Sequence, residues 1–403
     1  LKVLSAGLSV ALTSMTLMPL ATALPAEAAT GKFSYNTVVK YGDNGVTNYR
    51  IPAVIKLNNG DLLTAYDARP ANGDAPAPNS IMQKRSTDGG ATWKPQTVIA
   101  QGKGTTMGDP EKEGFSDPAY IYDKQTGHLF NFHVHSYDVG CDPKGTEETD
   151  EFSNRKVQGV SLSVSTDNGN SWTERYGNAP DETRGLTAAV KQPGYPCGFA
   201  ASGHGIQLQH QRGANAAKNG RLITQFIAGK PGTWAAYSVY SDDHGNTWKR
   251  GSTIGTDMNE NKLVELSDGT HLLNSRMSNK AGYRYIAKST DGGETWTDLQ
   301  IERSLVDSKS PGRNASIIRR YPDAPSSDPK SKELLYSGMA DSGKTLAVSY
   351  SYDDGKTWPI RKLYWNDKAA YSDLVAIDTQ SGKYGVAFEE DHQIGGNYFE
   401  TIH

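Results

Sequence analysis

The chain has 403 residues, enough for one large domain or two ordinary ones. Forty-two Lys and Arg against 45 Asp and Glu leave a net charge of -3, which supplies no field for nucleic acid or an anionic membrane. An anionic ligand would therefore have to be met by a local cluster of cations.

The first residues, "LKVLSAGLSVALTSMTLMPLATALPAEAAT", run from Lys2 through an apolar stretch to Ala26-Glu27-Ala28. A short basic region, a hydrophobic region and a small-x-small site read as an export signal over residues 1–28. Pro19 and several Ser and Thr interrupt the run and argue against a membrane anchor. Residues 29–403 form the mature domain on this reading, secreted and without a membrane span. Cys141 and Cys197 lie in polar, loop-like sequence; export permits a disulfide between them, and the sequence does not decide it.

From there the elements are short strands: "DLLTAYDAR", "HLFNFHVHS", "VSLSVST", "RLITQFIA", "AAYSVYS", "HLLNSRM", "YRYIAKST", "LAVSYSY". They are rich in Tyr, Val, Ile, Leu and Thr and end in Gly, Asp, Asn or Pro. No segment sustains an apolar period of 3.6, so the chain reads as all-β. Five copies of Ser-x-Asp-x-Gly-x-Thr/Ser-Trp punctuate these strands, opening at Ser86, Ser165, Ser241, Ser289 and Ser351. Their turn glycines accept positive φ. Asp88, Asp167, Asp243, Asp291 and Asp353 are expected to accept hydrogen bonds from the turns, and the closing Trp to tuck under its hairpin. The spacing suits one four-stranded blade per copy, with room for six blades: a six-bladed β-propeller. The acids are too sparse within each copy for calcium, so the repeat is read as scaffold. His133 and His135 share a strand face without a nearby third ligand and read as a solvated face.

The octapeptides resemble the Asp boxes of sialidases (neuraminidases), closest to secreted actinobacterial members, and further stretches fit in the family's order. These are "NYRIPAV" at 48–54, "YDARPANGDAPAPNS" at 66–80, "GFSDPAY" at 114–120, "NENKLVELSDGTHLLNSR" at 259–276 and "AAYSDL" at 369–374. The resemblance implies an exo-sialidase that hydrolyses terminal α-linked sialic acids with retention. Sialylated glycans are then its substrates; neither cofactor nor metal is needed, and a monomer is expected. Arg50 and Arg276 are implied to grip the substrate carboxylate, for which planar guanidinium groups are suited. Glu389 is implied to orient Arg50. Tyr371 matches the nucleophile and Glu260 the base that takes its proton, with Glu265 as rival base. A tyrosine avoids placing a carboxylate nucleophile against the substrate's own carboxylate. Asp74 fits the general acid/base, Arg69 and Asp117 fit residues that hold a hydroxyl, and Trp234 fits an aromatic lining. A third arginine normally precedes the fifth box; here Gly343 stands at that position. Lys344 is the expected substitute, and Arg313 the less favoured one. A trans-sialidase or an enzyme for a related nonulosonic acid keeps the same fold. A non-catalytic sugar-binding propeller is the rival of a different class, disfavoured because a lectin needs no nucleophile–base pair.

Overall fold

The computed structural model describes residues 34–148, 154–278, 282–308, 312–340 and 345–403. The export signal read over residues 1–28 lies outside the described residues. Six antiparallel sheets follow one another in the chain. The first is built from Asn48–Lys56, Leu62–Arg69, Ser80–Ser86 and Thr97–Ala100, each strand pairing with the next. Blades two, four, five and six begin with inner strands Gly114–Tyr122, Met258–Glu265, Ser316–Arg319 and Ala369–Asp378. The inner edge of blade three is broken. Cys197–Ala200 and Ile206–Gln207 both pair with Leu222–Lys230, while Gly203–His204 between them pairs in parallel with blade two. Val39–Lys40 supplies the last strand of blade six by pairing with Ile402 and Thr401. This is the six-bladed propeller that the repeat spacing predicts; one five-residue helix, Leu186–Val190, interrupts the β pattern.

The core is a ring of layers between neighbouring blades. Ile121, Phe130 and Phe132 of blade two pack on Phe226, Val239 and Trp248 of blade three, and similar clusters join the other neighbours. Alternate strand residues face opposite sides, so each blade feeds two such layers.

Every box spans the hairpin between the third and fourth strands of blades one to five. In the first, Ser86 Oγ donates to Asp88 Oδ1 at 2.7 Å, Gly90 N donates to Ser86 Oγ at 2.9 Å, and Thr92 N donates to Asp88 Oδ1 at 2.9 Å. The same bonds recur around Asp167, Asp243, Asp291 and Asp353. The donors from Thr92 and Ser86 hold the exposed Asp88 carboxyl at about 2, and Ser171 does the same for Asp167. The closing tryptophans of the second and fifth boxes lie against their own turns, the Trp172 and Trp358 rings coming within 3.6 and 3.7 Å of where a Cβ on Gly169 or Gly355 would stand, and the ring also reaches the neighbouring blade. Trp248 lies edge-on against Phe130 and Phe132 of blade two, with centroids 5.6 and 4.8 Å away. Gly245 of that box has φ 81°, and a Cβ there would meet the Phe130 ring at 2.1 Å. Only glycine lets this turn close down on the preceding blade.

The histidine pair also departs from the expectation. His133 and His135 are buried, not solvated. His133 hydrogen-bonds Ser161 and Ser163, and burial lowers its pKa to about 3; His135 pairs with Glu113 at 2.8 Å and stacks on Phe115. Because two packed blades cover both faces of an inner sheet, alternation alone does not identify a wet side.

Candidate active site

The inner strands of blades one, two, four and six each lose register near their first residues: between Arg50 and Ala53, Ser116 and Ala119, Met258 and Asn261, and Ala369 and Ser372. A bulge re-aims the side chain it carries. The four bulges carry Arg50, Asp117, Glu260 and Tyr371, and they face one end of the central channel. Two of them precede proline, in Ile51-Pro52 and Asp117-Pro118, where the missing N–H breaks the ladder. Ile51 and Asp117 have φ of 63° and 62°. For a β-branched residue such as Ile51 this is strained backbone. Glu389 holds it, accepting the Ile51 N–H at 2.6 Å.

Glu389, from the second strand of blade six, is fully buried and organises its neighbours. Its two oxygens accept Nε and Nη2 of Arg50 at 3.1 Å each, and Oε2 also accepts the Tyr371 N–H at 3.1 Å. Burial pushes this carboxyl up, and Arg50 with the backbone donors more than reverses it, leaving it below its ordinary value. Glu400 adds a second carboxylate 3.6 Å from Arg50 Nε. The Arg50 guanidinium lies 4.9 Å from the centre of the Tyr371 ring.

Tyr371 is bracketed from blade four. Arg276 Nη1 donates to its phenolic oxygen at 2.8 Å and also pairs with Glu260. Burial pushes the phenol above its ordinary pKa; Arg276 pulls it down, and the Glu260 carboxylate and its hydrogen bond push it up. Arg276 Nε is buried and has no hydrogen-bond partner among the described residues. A proton on Tyr371 thus has an acceptor at Glu260, and an arriving anion has donors on two guanidinium groups.

On the other side of the site, Arg69 is buried and pairs with two carboxylates, while a third, Asp117, acts on it electrostatically. Its Nε and Nη2 reach Asp67 at 3.1 and 2.8 Å, and Nη1 pairs with Asp74. Asp67 also accepts the Asp117 N–H at 2.9 Å. Burial raises Asp67 to about 6 against the pull of Arg69, and burial with the Asp67 charge raises Asp117. Asp74 sits in the loop after Arg69 with 76% of its side chain exposed. Arg69, opposed by burial, holds its carboxyl below the ordinary value.

The structure therefore brings Arg50, Arg69, Asp74, Asp117, Glu260, Arg276, Tyr371 and Glu389 to one end of the channel. Trp234 lies apart from these contacts. Its ring covers Gly229 across the blade-three hairpin, at the level of Cys197, which begins that blade's inner edge. Cys141 and Cys197 are joined in a disulfide with Cα atoms 5.0 Å apart. Glu265 lies at the opposite end of its strand, where Gln209 N, His210 N and Gln211 Nε2 occupy its oxygens. Lys344 and Gly343 lie outside the described residues. Arg313, at the start of blade five, acts electrostatically on Asp391, two residues beyond Glu389. Sequence reasoning missed Asp67 and Glu400. Asp67 was legible as a carboxylate two residues before Arg69 on one strand face; Glu400, in the strand that closes the ring, carries no local signal.

Among known proteins, the profile of the BNR repeat-like domain matches residues 60–386. A sialidase of Micromonospora viridifaciens, an actinobacterium, is 46% identical over 354 residues, covering 86% of this chain and 50% of that protein. The chain thus spans half the length of this curated relative. The solved structure of the Hadza microbial sialidase Hz136 superposes with a TM-score of 0.71 at 25% identity, over 91% of this chain and 66% of that one. An intramolecular trans-sialidase from Ruminococcus gnavus in complex with oseltamivir carboxylate superposes at 0.70 and 18% identity, over 91% of this chain and 96% of that one, which speaks for the fold alone.

Proposed function

We propose that this chain, which belongs to the BNR repeat-like domain family, is a secreted exo-sialidase that removes terminal α-linked sialic acids with retention of configuration. The observation that carries the reading is Tyr371 held between Arg276 and Glu260, with Arg50 over its ring. Arg50 and Arg276 receive the substrate carboxylate, Arg50 being fixed from behind by Glu389. Arg69 and Asp117 hold a ring hydroxyl, and Trp234 lines the rim of blade three.

Glu260 accepts the phenolic proton as the Tyr371 oxygen bonds to the anomeric carbon. The glycosidic C–O bond breaks, and Asp74 gives its proton to the leaving oxygen. Water then attacks the anomeric carbon, losing its proton to Asp74; the tyrosyl C–O bond breaks and Tyr371 recovers its proton from Glu260. Asp74 must be protonated for the first half, yet Arg69 favours its ionised form. Its exposure and its place on a loop let it turn from Arg69 toward the leaving group.

Release of the phenol from an aryl α-sialoside tests the activity. Tyr371→Phe is expected to lose at least a thousandfold in kcat while still binding free sialic acid, since only the phenolic oxygen is removed. Wild-type turnover by that variant would exclude Tyr371 as nucleophile, and no turnover by the native chain would favour a binding propeller.

A further inference from the structure

Asp74 can reach a leaving oxygen only if the loop that carries it is held in place. That loop leaves blade one after Arg69 and returns at Ser80. Thr47 Oγ1 donates to Pro70 O at 2.7 Å, and Asn79 Nδ2 donates to Gly73 O at 3.0 Å. Both anchors flank strands of blade one. Asn72 ties the loop to blade six as well. Its Nδ2 donates to Tyr398 O at 3.2 Å, in the strand Asn397–Ile402, and its Oδ1 accepts Asn48 Nδ2 at 2.8 Å. Gly73 is the one residue between Asn72 and Asp74.

The neighbours dictate how this bridge is made. Asn48 is buried, and its Oδ1 accepts Tyr49 N at 2.9 Å and Glu400 N at 2.7 Å. Its Nδ2 is left to donate, to Asn72 and to Glu400. Tyr398 O can only accept. Asn72 must therefore show its oxygen to Asn48 and its nitrogen to Tyr398, which a primary amide can do and a carboxylate cannot. Asn72 also has φ 50°, a left-handed conformation that asparagine tolerates. Glu400 stands 3.6 Å from Arg50 Nε, so one frame spaces the acid/base loop from the carboxylate clamp.

We propose that Asn72 is a positioning residue for proton donation: bridging Asn48 and Tyr398 O, it holds the loop where Asp74 reaches the leaving oxygen. The proposal rests on Asp74 being the acid of the sialidase reading. A general acid must come within about 2.6–3.2 Å of the oxygen it protonates, and a misplacement of about 1 Å can cost on the order of a hundredfold. Loss of the bridge is passed to Asp74 through a single glycine.

The test is kcat/KM of the full chain on two α-sialosides, 4-nitrophenyl and methyl, for the native, Asn72→Gly, Asn72→Asp and Asp74→Ala proteins. The nitrophenolate departs without a proton and the methoxide needs one, so the methyl glycoside depends on the acid far more. kcat/KM reports only the steps up to the breaking of that bond. Glycine keeps the left-handed backbone and removes the amide; aspartate keeps the shape but turns an oxygen on Tyr398 O. Both variants are expected to lose roughly tenfold or more on the methyl sialoside and to stay within about threefold of native on the aryl one. Asp74→Ala is expected to show the same split, larger. Two Asn72 variants guard against one failing to fold. An equal fall on both substrates, as loss of a merely structural contact gives, or no fall on either, overturns the proposal. A split in Asp74→Ala without one in the folded Asn72 variants overturns it and leaves Asp74 as the acid. No split in Asp74→Ala, or no release from either sialoside by the native chain, removes the underlying reading and this proposal with it.

Discussion

Arg69 is shared by Asp67 and Asp74, and this sharing sets how the proposed acid/base residue titrates. Removing the guanidinium in Arg69→Met takes away the charge that favours ionised Asp74, so the Asp74 pKa rises. Asp74 must carry its proton in the first half-reaction, so it governs the alkaline limb of kcat/KM. That limb is expected to move to higher pH in the variant, while the plateau falls through lost substrate contacts. An unmoved limb would separate Asp74 from catalysis. The clamp gives a second prediction at this scale. Lysine carries the charge of an arginine without its planar fork, so one weaker contact should cost on the order of 1.5–3 kcal/mol, roughly ten- to a hundredfold in kcat/KM. Gly343→Arg is expected to recover that factor and Lys344→Ala to lose activity further. If Lys344→Ala matches the native chain on an aryl sialoside, another cation, Arg313 foremost, completes the clamp.

The box is an element whose chemistry stays within itself. Asp291 accepts from Ser289, Thr295 and the turn backbone. Asp291→Ala is therefore expected to lower stability by about 1–3 kcal/mol while leaving sialoside turnover in the melted-back protein at the native level. A folded but inactive variant would return the boxes to the catalytic account. Asp88 adds a pH dependence. Its carboxyl is depressed to about 2 by Thr92 and Ser86, so its contribution is present above the unfolded carboxyl range and is lost as pH falls toward 2. The boxes were legible because eight residues close their own hydrogen bonds. The destination of Trp248 was not, since its partners Phe130 and Phe132 lie more than a hundred residues earlier. Asp74, Glu260 and Tyr371 were legible through motif order, and Pro52 and Pro118 mark two of the bulges that aim the site. The bulges at Glu260 and Tyr371 have no such marker, and the burial of His133 and His135 comes from a neighbouring blade that local pattern does not report.

Across the whole molecule the blades meet at Asp373, which is fully buried and takes donors from blade one, blade five and the His204 segment. Asp373→Ala would leave those donors unanswered inside the channel. Loss of one partner from a buried charged network costs about 3–5 kcal/mol, so a large drop in melting temperature is expected; a native-like melt would show that the blades hold without this tie. The ring has a second joint. The two-residue clasp of Val39 and Lys40 on Ile402 and Thr401 brings an early and a late stretch of the polypeptide side by side. Sequence order is therefore nearly arbitrary with respect to the circle. A circular permutant that splices these neighbouring stretches and opens new ends at the surface turn Gly213–Lys218 should refold to the same propeller. With the clasp made covalent, it should also exchange its blade-six amides more slowly than the parent.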